Sequence, residues 1–160
     1  MEDRYKKRVI TADKAVVKLM TLCSRGEKSS FDAAQLLRRW GVSQEDSDSI
    51  IERLKSEKYI DDSRYCDAYV REKSRLSNFG AQKIKQNLIL KRLPVELIES
   101  SMSRYISSDS MRDKLELMLS KKRTEIERRE DDTYKIKDKL IRFAISRGYD
   151  YHLICEVLES

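Results

Sequence analysis

The chain has 160 residues, of which 39% are apolar and 39% charged, and its 34 Lys and Arg against 28 Asp and Glu leave a formal net charge of +6. That length holds one ordinary domain or a row of small modules, and four glycines and one proline leave most of it open to helix. One histidine and three scattered cysteines with no C-x-x-C pair argue against a metal centre and against a disulfide framework. No run approaches the ~18 apolar residues of a membrane span, and the mixed-charge N-terminus is no signal peptide, so a cytoplasmic protein without a cofactor is expected.

Apolar residues recur at spacings of three and four almost throughout, which predicts an all-α chain. With so much charge needing surface, an elongated body is expected. A charged tail occupies residues 1–10. The first triplet, 11–60, has helices near 11–25, 31–40 and 44–57. The second, 61–106, has helices near 62–76, 79–91 and 95–105. The third, 107–160, is divergent, with helices near 109–129, 132–147 and 151–159.

Three tandem units are read from an internal echo. Trp40-Gly41-Val42-Ser43, Lys91-Arg92-Leu93-Pro94 and Arg147-Gly148-Tyr149-Asp150 each follow one apolar-periodic run and precede another. Their third positions stand 51 and 56 residues apart, within the range of helical repeats. Five residues before them stand Leu37, Leu88 and Ala144, and nine before stand Ala33, Ile84 and Leu140. Five after come Ile98 and Ile154, but Ser47 in the first copy. Each anchor is expected to stop one helix and cap the next, with glycine as the left-handed C-cap in two copies. Trp40 is expected to pack between the first and second units. Tyr59, Tyr149 and Tyr151 are expected to pack near helix boundaries with their hydroxyls at the surface.

In the second triplet, Asp61 is placed to cap the helix that Asp62 begins, and Asp62 sits where negative charge meets the positive end of the helix dipole. No histidine or other acid converges on them, so a catalytic carboxylate pair is disfavoured. Beyond them, Tyr65, Ala68, Tyr69 and Leu76 share one side of the helix and are expected to face the core. From Arg71 to Arg92 the sequence holds seven Lys and Arg against one acid, Glu72, a local surplus equal to the charge of the whole chain. The candidate binding residues are Arg64, Arg71, Lys73, Arg75, Lys83, Lys85, Lys91 and Arg92. Their stems suit the covering of apolar surface and their heads suit a polyanion, contacted through its backbone without reading sequence. The third triplet holds twelve basic and twelve acidic residues and projects no net field.

These residues carry a resemblance. KYIDDSRYCDAYVREKSR, followed by FGAQKIKQNL and KRLPVELIESSM, resembles the central repeat of the RecX family, the regulators of the RecA recombinase. The upstream stretch LCSRGEKSSFDAAQLLRRWGVSQEDSDSIIERLKSEKYIDD resembles that family's first repeat. The resemblance implies tandem three-helix repeats in a curved body and a non-enzymatic regulator. Such a regulator binds RecA and RecA filaments on single-stranded DNA, and restrains strand exchange, ATPase and co-protease activity. A monomer that contacts single- or double-stranded DNA independently of sequence is expected. The alternatives are a helical regulator acting on duplex DNA directly and a pure protein–protein adaptor. A hydrolase or transferase lacks any nucleophile–base pair that the sequence would bring together.

Overall fold

The computed structural model describes residues 9–160, so most of the expected tail, residues 1–8, lies outside the described residues. Among the described residues there are nine helices and no strand. In chain order they are α1 (Ala12–Arg25), α2 (Ser30–Arg39), α3 (Gln44–Ser56), α4 (Asp62–Leu76), α5 (Ala81–Leu90), α6 (Val95–Tyr105), α7 (Ser108–Glu127), α8 (Thr133–Ser146) and α9 (Tyr151–Glu159).

Short polar side chains set most of the starts, because the first four backbone N–H groups of a helix have no partner within it. Ser29 and Asp32 form a reciprocal capping box on α2, Ser43 accepts from Asp46 N–H at 3.1 Å on α3, and Asp150 accepts from His152 and Leu153 on α9. Asp61 accepts from Arg64 N–H at 3.0 Å and so caps α4. The neighbouring Asp62 reaches another helix: its carboxylate accepts from Ser30 N–H at 2.7 Å and from the Ser30 hydroxyl at 2.5 Å. The start of α2 is therefore held by an acid 32 residues further along.

The internal echo is visible in the backbone. Gly41, Arg92 and Gly148 all take left-handed φ, at 75°, 55° and 87°. In each turn this residue donates to the carbonyl three back, and the next residue donates to the carbonyl five back: Val42 to Leu37, Leu93 to Leu88, Tyr149 to Ala144. Ala33, Ile84 and Leu140 are fully buried, as are Leu37, Leu88 and Ala144. Ser47 fills the slot of Ile98 and Ile154 and is likewise buried, at 5% exposure.

The chain divides into two compact units inside α4, the first ending at Ala68 and the second running Tyr69–Ser160. In the first, α1 and α2 both pack on α3, around Ala15, Leu19, Ala33, Leu37, Ile50, Leu54 and Ile60. Trp40 is half-buried and packs against this core; the Lys18 ammonium lies 4.3 Å from its ring centre, and the Trp40 carbonyl accepts from Ile10 N–H at 3.1 Å.

In the second unit α5 packs on α6, while α7, α8 and α9 pack on one another. Gly80, the N-cap of α5, donates to the Arg147 carbonyl at 2.7 Å, and Gln82 N–H donates to the Gly148 carbonyl at 3.1 Å. A Cβ on Gly80 would lie 2.6 Å from the Gly148 carbonyl carbon, and one on Gly148 would lie 2.5 Å from Lys83 N. Two backbones meet here at a distance that side chains forbid. Nearby, the Lys114 ammonium on α7 donates to the carbonyls of Ser74, Ser77 and Phe79 at 3.1, 3.2 and 2.8 Å. It thereby closes the C-terminal end of α4, whose last carbonyls have no partner within the helix.

Three expectations are corrected. Leu76 is 84% exposed rather than in the core. The buried side of α4 is the column Cys66, Val70 and Ser74, and Lys114 approaches where Ser74 is small. The Tyr149 hydroxyl is buried and without a hydrogen-bond partner among the described residues, not at the surface, and burial pushes the phenol up to about 12. Tyr151 is more than half exposed rather than packed. Of the cysteines, only Cys66 is fully buried.

Candidate nucleic-acid interface

The basic segment is built on the second half of α4, on α5 and on the turn that follows it. Seven of the eight candidate residues therefore lie in the second unit, and Arg64 lies in the first.

Arg64 spends its guanidinium internally. Its Nε donates to Glu27 Oε1 at 2.6 Å and its terminal nitrogen to the carbonyls of Lys58 and Tyr59 at 3.0 and 3.4 Å. The hydrogen bond to Glu27 raises its pKa further. This side chain ties the start of α4 to the turn before it and to the α1–α2 loop, and its charge is neutralised there.

The others vary in how far carboxylates answer them. Lys73 reaches Glu72 at 2.9 Å, and Lys85 reaches Glu99 at 3.2 Å across α5 and α6. Both pairs are exposed, and such pairs are worth ~0–1 kcal/mol, so an incoming phosphate competes with them on even terms. Lys83 donates to the Ser146 carbonyl at 3.3 Å and lies 4.7 Å from the Phe79 ring centre, with no carboxylate partner among the described residues. Arg71 is exposed and lies 5.6 Å from the Tyr105 ring centre. Arg75 is exposed, with no ion pair among the described residues. Arg92 is exposed at the left-handed turn after α5, and Lys91 beside it is half-buried.

The neutral donors of the segment are partly used. Asn87 donates to the Tyr69 hydroxyl at 2.9 Å, while Gln86 and Asn78 are exposed. No grouping of His, Cys, Asp and Glu that would hold a metal occurs among the described residues, and no helix there is long and apolar enough to cross a membrane. The arrangement offers fixed cations on a helical frame.

Sequence reasoning missed two residues of this surface. Arg104 and Tyr105 end α6, where the Arg104 guanidinium carbon also lies 5.6 Å from the Tyr105 ring centre. The available signal was a basic–aromatic pair beyond Ser101, the last buried residue of α6. It missed Lys114 as well, whose ammonium is desolvated and held below the usual lysine value by burial.

Residues 61–102 match the family model described as the second three-helix domain of RecX, and residues 112–158 match that of its third three-helix domain. The divergent third triplet thus has a counterpart. The regulatory protein RecX of Clostridium tetani is 30% identical over 159 residues, covering 99% of this chain and 69% of the relative. That of Clostridium botulinum (Eklund 17B) is 29% identical over 152 residues, with 95% and 69% covered. That of Clostridium acetobutylicum is 35% identical over 112 residues, with 69% and 51% covered. Among solved structures, RecX from Lactobacillus salivarius superposes with a TM-score of 0.76 at 20% identity, over 92% of this chain and 94% of that one. A second RecX crystal structure gives 0.80 at 16% identity, over 93% and 72%. At such identities the structural likeness speaks for the fold.

Proposed function

Because the chain belongs to the RecX family of regulatory proteins, we propose that it binds RecA and RecA–DNA filaments and inhibits their recombinase, ATPase and co-protease activities, so modulating DNA repair and recombination. The observation that carries the reading beyond the family is the +6 surplus between Arg71 and Arg92, in which Arg71, Arg75 and Lys83 face no carboxylate among the described residues. Cations not neutralised from within are available to release counterions from a polyanion. Contact through phosphates sets position without sequence preference, which suits a regulator that must act wherever a filament forms.

Titrating the protein into a RecA–single-stranded-DNA ATPase assay at two salt concentrations tests this. Inhibition that weakens steeply with salt supports the reading, and undiminished ATPase at saturating protein ends it. Inhibition far below one protein per RecA subunit places the contact at filament ends, and inhibition proportional to coverage places it along the filament.

One observation favours a protein-directed contact as the second reading. Ile89, Leu90 and Val95 are exposed around Lys91 and Arg92, at 47%, 72% and 47%, an apolar surface that a polynucleotide backbone does not cover. Binding to RecA in the absence of DNA, insensitive to charge reversal at Arg71 and Arg75, distinguishes this adaptor reading.

A further inference from the structure

We propose that Arg71 and Tyr105 form a receptor for one unpaired nucleotide, the Tyr105 ring taking the base and the Arg71 guanidinium a flanking phosphate. This deepens the DNA-binding reading above and rests on it. The two side chains come from α4 and from the end of α6, more than thirty residues apart in sequence, and the Arg71 guanidinium carbon lies 5.6 Å from the ring centre. Tyr105 is 36% exposed and makes no hydrogen bond through its hydroxyl among the described residues. Arg71 has no carboxylate partner there, since the adjacent Glu72 holds Lys73.

The contact between ring and guanidinium sits near the outer limit of a cation–π interaction, ~6 Å, and at an exposed site contributes roughly two- to fivefold to an equilibrium constant. A base stacked on an aromatic side chain contributes roughly five- to a hundredfold. Exchange of the first for the second is therefore favourable, and it frees Arg71 to meet a phosphate. Duplex bases are stacked on one another and present no face, so the receptor selects single strands. The other candidate residues of this unit, which meet phosphate alone, do not discriminate.

The experiment uses the full chain with a labelled oligo(dT) and a duplex of equal length, read by fluorescence anisotropy across a salt series. Tyr105→Ala is expected to weaken oligo(dT) binding about tenfold, to leave duplex binding within about twofold, and to leave the salt dependence of both unchanged. Tyr105→Phe is expected to keep the wild-type preference, since the ring remains. Equal weakening on both probes, or oligo(dT) binding by Tyr105→Ala within twofold of wild type, overturns the receptor. Wild-type protein that binds neither probe ends the DNA-binding reading with it, whereas wild-type binding with an indifferent Tyr105→Ala ends the receptor alone. Photo-crosslinking of the wild-type chain to an iodouracil-bearing strand gives a readout that needs no variant. A crosslink on the peptide holding Tyr105 supports the assignment, and crosslinks confined to other peptides overturn it.

Discussion

Replacing Gly80 with alanine adds one carbon where α5 begins against the α8–α9 turn. That carbon would stand 2.6 Å from the Gly148 carbonyl carbon and 2.7 Å from Tyr149 N, against the 3.4 Å at which ordinary contact begins. The opposing atoms are backbone and have no rotamer to yield with. The Gly148 carbonyl oxygen would stand closer still, so the start of α5 must retreat by at least about 0.8 Å, and this lengthens two bonds. Gly80 N–H to Arg147 O goes from 2.7 to roughly 3.5 Å, and Gln82 N–H to Gly148 O from 3.1 to roughly 3.9 Å, beyond useful geometry. At ~1 kcal/mol net for each bond and ~1 kcal/mol or more for strained packing, the cost is about 3 kcal/mol. In a unit the size of Tyr69–Ser160, each kcal/mol lowers Tm by roughly 4–8 °C, so a fall of about 15 °C is expected in circular-dichroism melting. Gly26→Ala serves as the control. Its added carbon meets nothing within 4 Å and its backbone is extended, so no loss is expected there. A Gly80→Ala protein melting within 2 °C of wild type would refute the close-approach argument.

Four further outcomes are expected. The double variant Arg71→Glu and Arg75→Glu should bind single-stranded DNA more weakly by well over tenfold, with a salt slope lower by about 1.4, at ~0.7 per lost phosphate contact; full inhibition of RecA by a folded double variant counts against the basic surface. Tyr149→Phe removes a buried, unpartnered hydroxyl and should be neutral or stabilising near pH 7. With a folded value of about 12 against ~10 in the unfolded chain, wild-type stability is fully present below pH 10 and is lost as pH rises from 10 to 12; melting at pH 9 and 11 should show wild type losing about 1.4 kcal/mol more than Tyr149→Phe. Both proteins carry Lys114, whose lowered value acts in the opposite sense, so it cancels from that comparison. Lys114→Met leaves three carbonyls at the end of α4 without their donor and should cost about 2 kcal/mol in urea unfolding, with an unchanged midpoint sinking the idea that it closes that helix. Lys58 holds a left-handed φ of 61° after α3, so Lys58→Gly should raise the melting temperature by the equivalent of about 1 kcal/mol without altering DNA affinity.

What was legible in the sequence was local chemistry. Serine, threonine and aspartate announce helix starts through their own side-chain oxygens, and every helix end falls within about two residues of its expected place. The repeated turn was legible because its left-handed residue is glycine twice, and Arg92 adopts the same conformation where no residue preference announces it. What failed depended on neighbours distant in sequence. Leu76 shares a helical side with Tyr65, but the side that is buried at the end of α4 is decided by Lys114, arriving from α7. Arg64 lies in line with Arg71 and Arg75 by angle alone, yet Glu27, 37 positions upstream, engages it. The Tyr105 cluster was invisible for the same reason, since its arginine on α4 and its ring on α6 meet only through tertiary packing.

The fasteners at the beginning of α4 bear on how a piece of this molecule can be cut out. Asp62 holds the first residue of α2, and Arg64 grips Glu27, so a fragment trimmed at residue 60, where counting repeats suggests the join, would strand an amide and a carboxylate it was shaped to satisfy. Excision of the leading module needs the chain through Ala68, and a ribosome that has translated only as far as residue 60 has not yet supplied the parts that lock it.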